Sequence, residues 1–134
     1  MGLCGTLGGY LARRWAANFA AKELRFDGVP LGRFDWTKES IRDGAISSIP
    51  MPSHAPHHVS VAAETPSWRI VFTGDATYLQ ANLRAGVIDG VAPQEAPADA
   101  RLGKLNVFAS ERPRLVLPAH DPETTARLAA WNST

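Results

Sequence analysis

One cysteine, Cys4, stands in a chain of 134 residues. A single thiol excludes an internal disulfide framework, and without a Cys-x-x-Cys pair there is no thiolate zinc knuckle; a reducing cytoplasmic setting is expected. Excess charge of either sign is also lacking, since 14 Lys and Arg against 13 Asp and Glu leave a formal net charge of +1. Basic residues alternate with acidic ones, as in Lys22-Glu23, Lys38-Glu39 and Arg42-Asp43. No stripe for a phosphate backbone results, so nucleic acid is not an expected partner. Long hydrophobic runs are missing as well. The opening from Met1 to Tyr10 has no basic start and is broken by glycines, so it reads as neither a signal peptide nor a membrane span, and no membrane partner is expected.

What is present suits one globular domain with a real core: 45% of the residues are hydrophobic, and no internal repeat or low-complexity tract interrupts them. Leu11, Trp15, Phe19 and Leu24 recur near helical spacing before Asp27-Gly28 and Pro30, which predicts a helix over 11–26. Residues 27–44 are rich in Gly, Pro and aromatics without periodicity and read as a loop, with a short helical turn at 38–42. The region 45–131 reads as sheet and helices. Strands are predicted at 45–51, 59–63 and 68–72, the last two joined by Glu64-Thr65-Pro66-Ser67 as an antiparallel hairpin. A helix follows around Leu79 and Leu83, ending near Gly86, and a second runs from 98 to 110 with Leu102, Leu105 and Phe108 on its buried face. Arg114 to Pro118 is a short buried strand, followed by a helix from Pro122 to Trp131.

The histidines are unevenly placed. Three of the four lie in Pro52-Ser53-His54-Ala55-Pro56-His57-His58, and the fourth in Pro118-Ala119-His120-Asp121. Between them the apolar run Ile70-Val71-Phe72 ends at Thr73-Gly74-Asp75, which delivers a carboxylate at the end of a strand. Imidazole and carboxylate at strand ends are the donor types that hold zinc, iron, cobalt or manganese in hydrolases. The separations are long, 75 − 54 = 21 and 120 − 75 = 45 residues, so only a tertiary fold could join them. Each residue also has a plain structural reading. A lone histidine is usually hydrogen-bonded or exposed, Gly74-Asp75 could be a turn with a helix cap, and Asp121-Pro122 could simply start a helix.

Three segments, in order, resemble the metallo-β-lactamase superfamily. Ile49-Pro50-Met51-Pro52-Ser53-His54-Ala55-Pro56-His57-His58-Val59-Ser60 is similar to its Thr-Pro-Gly-His-Thr-Pro-Gly-His-x-Ser loop. Phe72-Thr73-Gly74-Asp75-Ala76-Thr77-Tyr78 resembles the Gly-Asp-Ala-x-Tyr strand end of N-acyl homoserine lactone lactonases, and Leu117-Pro118-Ala119-His120-Asp121-Pro122-Glu123 resembles the final Pro-Gly-His-Asp-Pro-Glu motif. The resemblance implies an α+β fold: half of an αββα sandwich, a mixed sheet with an antiparallel hairpin, covered by helices on one face. It implies that His54 ligates one metal, Asp75 bridges two zinc ions, His120 ligates the second, and His58 shapes the loop by hydrogen bonding behind them. Tyr78 would aim its phenol at the substrate carbonyl oxygen, the assistance a developing oxyanion needs, or would be a half-buried aromatic on a first helical turn. The implied reaction is metal-assisted hydrolysis of a small lactone or other ester, of the quorum-quenching kind, in which bound hydroxide attacks the carbonyl. No Gly-x-Ser-x-Gly elbow or cysteine nucleophile competes with that mechanism. Another ester or thioester substrate is the alternative within the same superfamily. A non-catalytic remnant that acts as an interaction module is the alternative outside it.

The chain departs from the pattern in two ways. Ser53 and His57 replace glycines of the family loop, so its backbone must find angles without positive φ or distort; His57 itself reads as solvent-facing or as an added ligand. More importantly, His-x-His-x-Asp-His, which supplies most of the ligands in relatives, is absent from these 134 residues, and Cys4-Gly5-Thr6-Leu7-Gly8-Gly9 resembles the glycine-rich stretch that trails it. The expectation is a truncated copy, a single partial domain over 1–134 with two donors per ion, little or no activity alone, and self-association through an uncovered sheet face.

Overall fold

Alternation of side chains along the chain builds the sheet. In the computed structural model, which describes residues 16–20, 22–41, 43–88, 95–111 and 114–131, alternate residues of three strands are buried. These are β2 (Ile46–Pro50), β3 (Val59–Glu64) and β4 (Arg69–Gly74), preceded by the two-residue β1 (Lys38–Glu39) and followed by β5 (Arg114–Pro118). The five strands lie in sequence order in one sheet, β1-β2-β3-β4-β5. All neighbours are antiparallel except β4 and β5, which run parallel. A parallel neighbour needs a crossover, here α1 (Gln80–Ala85) and α2 (Glu95–Ser110). The last element, α3 (Thr124–Trp131), contacts β5.

The register puts Ala62, Val71 and Val116 side by side on one face. With Ile49 and Met51 they form the core against Leu102, Leu105 and Phe108 of α2. Arg69 lies at the end of that layer with 4% of its side chain exposed, paired with Glu64 and Glu111, donating to the Phe108 carbonyl and stacked 3.4 Å above the Phe108 ring. The opposite face carries Val61, Ile70 and Phe72, and Phe72 remains 45% exposed. The expected mixed α+β sheet with its hairpin is therefore present.

Two expected helical segments are not formed among the described residues. Residues 16–20 and 22–26 of the predicted 11–26 helix have no helix, and 11–15 and 21 lie outside the described residues. The cause is energetic: an isolated helix of this length is marginal in water unless its apolar stripe is buried, and Phe19 and Leu24 are 54% and 50% exposed. Within 27–44, Lys38 and Glu39 form a strand and not a helical turn. Their partners explain it: Lys38 and Glu39 pair with Ser48 and Ser47, Gly28 N–H bonds the Thr37 carbonyl, and Ser40 N–H bonds the Ile46 carbonyl. A single helical turn over 38–42 cannot outbid that ladder. The later helices differ from expectation only at their starts, at Gln80, Glu95 and Thr124.

Candidate functional site

Sheet topology alone brings the three ligand-type segments to one edge. Since β4 and β5 are parallel, the residues after each, Asp75 and His120, leave from the same end. Ala119 N–H still bonds the Gly74 carbonyl at 3.3 Å, so the two exits stay adjacent. The antiparallel β2 and β3 turn back at that same end through the loop that holds His54 and His58, closed by Met51 N–H on the His58 carbonyl at 2.8 Å.

The Asp75 carboxylate sits between two imidazoles. His120 Nε2 is 3.1 Å from Oδ1, and His54 Nε2 is 3.9 Å from Oδ2. Asp75 and His54 are about one-third exposed and His120 more than half. Tyr78 closes the group: its hydroxyl is 3.3 Å from His54 Nδ1, and its ring centroid lies 4.7 Å from that of His120 and 5.9 Å from that of His54. Tyr78 precedes α1 and is not on the helix's first turn.

His58 is placed behind these groups. Its Nε2 accepts the Asp75 backbone N–H at 3.0 Å, while Nδ1 is buried without an aligned partner. Burial holds the imidazole below its ordinary pKa, with the His54 charge adding to that, against the upward pull of the Asp75 carboxylate and the Met51 carbonyl. Gly74 makes the approach possible. It has φ +56°, and a Cβ there would come within 2.7 Å of His58 Nε2, so side chain and backbone geometry both require glycine. Ser53 and His57 take no positive φ, so the loop accommodates both replacements with other angles; His57 is exposed.

As a metal centre the group is partial. Among the described residues no three His, Cys, Asp or Glu side chains converge closely enough to hold an ion. Asp75 offers one oxygen toward each histidine, which gives two donors on either side, where a catalytic zinc needs three protein ligands. The donor chemistry fits a divalent metal, and the donor number does not complete a site.

The sequence offers Asp121 as a helix start inside the final motif, and the structure gives it a larger part. Its side chain is 6% exposed; Oδ1 accepts the Glu123 N–H at 2.9 Å, and Oδ2 accepts the Gln80 N–H at 2.9 Å and Arg127 Nη2 at 2.7 Å. Burial alone would raise its carboxyl pKa, but the Arg127 guanidinium and the two backbone donors outweigh that and hold it below the ordinary carboxylate value. The available sequence signal was an Asp beside His120 with Arg127 one and a half helical turns on; the Gln80 partner, far away in the chain, had none.

A sequence profile of the metallo-beta-lactamase superfamily matches residues 4–120. The chain belongs to this superfamily. Membership brings the divalent-metal hydrolase chemistry of the superfamily into consideration and accounts for the mixed sheet with its helices. Among solved structures, it is similar to an N-acyl homoserine lactone hydrolase bound to N-hexanoyl-L-homoserine at its catalytic metal centre, with 21% identity over 67% of this chain and 35% of that one, TM-score 0.57. It is similar also to a quorum-quenching N-acyl homoserine lactone lactonase, with 20% identity over 65% of this chain and 35% of that one, TM-score 0.56. A probable metal-dependent hydrolase from Staphylococcus aureus shares 14% identity over 63% of this chain and 30% of that one, TM-score 0.56. The superfamily member described here thus spans about a third of the length of these structures. At such identities the likeness shows the fold. No curated protein matches the chain. Among the described residues no helix is long and apolar enough to cross a membrane.

Proposed function

We propose that this chain carries one part of a lactone- or ester-opening metal centre, most like that of an N-acyl homoserine lactone lactonase, and has little or no activity by itself. The observation that supports the reading is the Asp75 carboxylate flanked by His120 Nε2 at 3.1 Å and His54 Nε2 at 3.9 Å, with the Tyr78 hydroxyl beside His54. His54, Asp75 and His120 would each contribute to holding zinc once further donors are supplied from outside these residues. A zinc centre supplies Lewis acidity and an activated water in such hydrolases. The chain's own residues do the rest. Asp75 orients the His120 imidazole, His58 holds the Asp75 backbone in place, and Tyr78 stands ready to donate its hydroxyl proton in a hydrogen bond to a carbonyl oxygen where negative charge develops.

The test is a zinc titration of the purified chain followed by histidine side-chain NMR, with a lactone-opening assay on the same sample. The His54 and His120 ring signals should shift with weak, readily competed zinc binding while the His57 signals stay, and turnover should remain at background. Unmoved His54 and His120 signals would remove the metal reading. Robust turnover that Asp75→Ala abolishes would show that the centre is already complete.

A further inference from the structure

Tyr78 and His120 reach the site from different connections, the β4–α1 turn and the β5–α3 turn, and His120 is 58% exposed. Their rings nevertheless meet at 4.7 Å. Beyond the Ala119–Gly74 backbone bond and the His120–Asp75 pair at the strand exits, one buried carboxylate ties the two turns together. Asp121, the residue after His120, accepts the N–H of Gln80, two residues beyond Tyr78, at 2.9 Å. That N–H opens α1, whose own N-cap residue, Leu79, offers no side-chain acceptor, so Asp121 caps the helix from the other turn. The same carboxylate is fixed from its own side by the Glu123 N–H and by Arg127, which also reaches Glu123 and Thr124. A carboxylate only 6% exposed and held by three donors has one orientation, and it transmits that orientation to both turns.

We propose that Asp121 is a positioning residue: it sets the spacing of Tyr78 against His120 by tying their two turns together, and touches no substrate itself. This rests on the reading that Tyr78 and His120 serve one site, but its test needs no turnover. In the uniformly labelled chain, Asp121→Ala should weaken the Tyr78–His120 ring NOE by about threefold or more, as loosening the site by about 1 Å would. Asp121→Asn, whose carbonyl oxygen can still accept one backbone N–H, should retain part of it. The Asp75 amide signal, set by His58 on the other side of the site, should stay in place in both variants and so report an intact fold. A wild-type NOE in both variants overturns the proposal. So does a failure of both to fold, which would make Asp121 a general structural residue. Absence of lactone opening in the parent chain bears on the proposed function and leaves this result standing.

Discussion

The backbone N–H of Asp75 donates to His58 Nε2 across 3.0 Å, so the ring behind the site is held as a neutral acceptor. Protonation at Nε2 would replace that acceptor with a second donor facing the amide, in a place already desolvated. The folded chain therefore disfavours the imidazolium, and the unfolded chain takes up a proton near the ordinary value of 6.5. The sign follows: the unfolded state binds more protons below that value, so the stabilisation is fully present above it and is lost as pH falls toward the depressed folded value. Urea unfolding midpoints should decline on acidification from just below neutrality. His58→Gln, which keeps an oxygen where Nε2 accepts and does not titrate, should remove that part of the decline. An unchanged pH slope in the variant would show that His58 is not the responsible group.

Much of this arrangement was legible in the sequence because strand periodicity is local. Ile49, Ala62 and Val71 alternate as core positions must, and Leu102, Leu105 and Phe108 mark one helical face. The meeting of residues 54, 75 and 120 was legible only through the ordered motifs, because no local rule spans 21 or 45 residues; the structure gathers them by placing β4 beside β5 in parallel and turning β2 into β3 at the same end. What escaped were features whose partners are remote. Phe19 and Leu24 have helical spacing but stay about half exposed, Lys38 and Glu39 become a strand because β2 is there to receive them, and Asp121 gains its role from Gln80.

Arg69 escaped for the same reason and predicts a large stability effect. A strand position next to Ile70 suggests nothing about a guanidinium with 4% of its side chain exposed, stacked on Phe108, donating to the Phe108 carbonyl and paired with Glu64. Removing one partner of a buried pair costs more than the pair is worth, because the other charge stays behind, 16% exposed. Arg69→Ala should lower the unfolding free energy by about 3–5 kcal/mol. Arg69→Lys should recover little of it, since an ammonium cannot both fork and stack. Combining Arg69→Met with Glu64→Gln should cost markedly less than Arg69→Ala alone. Equal losses in the single and double variants would mean that packing on Phe108, and not the unpaired carboxylate, carries the effect.

The sheet's second face leads to a prediction about association. Phe72 stands 45% exposed beside Val61, whose register partner it is, and next to Ile70 along the strand; contiguous apolar surface of this kind is rare on a monomer unless another surface covers it. In a two-layer fold that face would meet a second sheet, and the described residues form five strands in one sheet. Apolar contact between copies is the available substitute, because burial of such surface is favourable and non-directional. Sedimentation should therefore show concentration-dependent association of the isolated chain, and Phe72→Lys should shift it toward monomer. The substitution should leave the Asp75–His58 hydrogen bond and the core in place, since Phe72 points away from the layer built by Val71 and α2. If Phe72→Lys associates as strongly as the parent, the contact lies elsewhere on the molecule; if the parent is monomeric at all concentrations, the face is already covered.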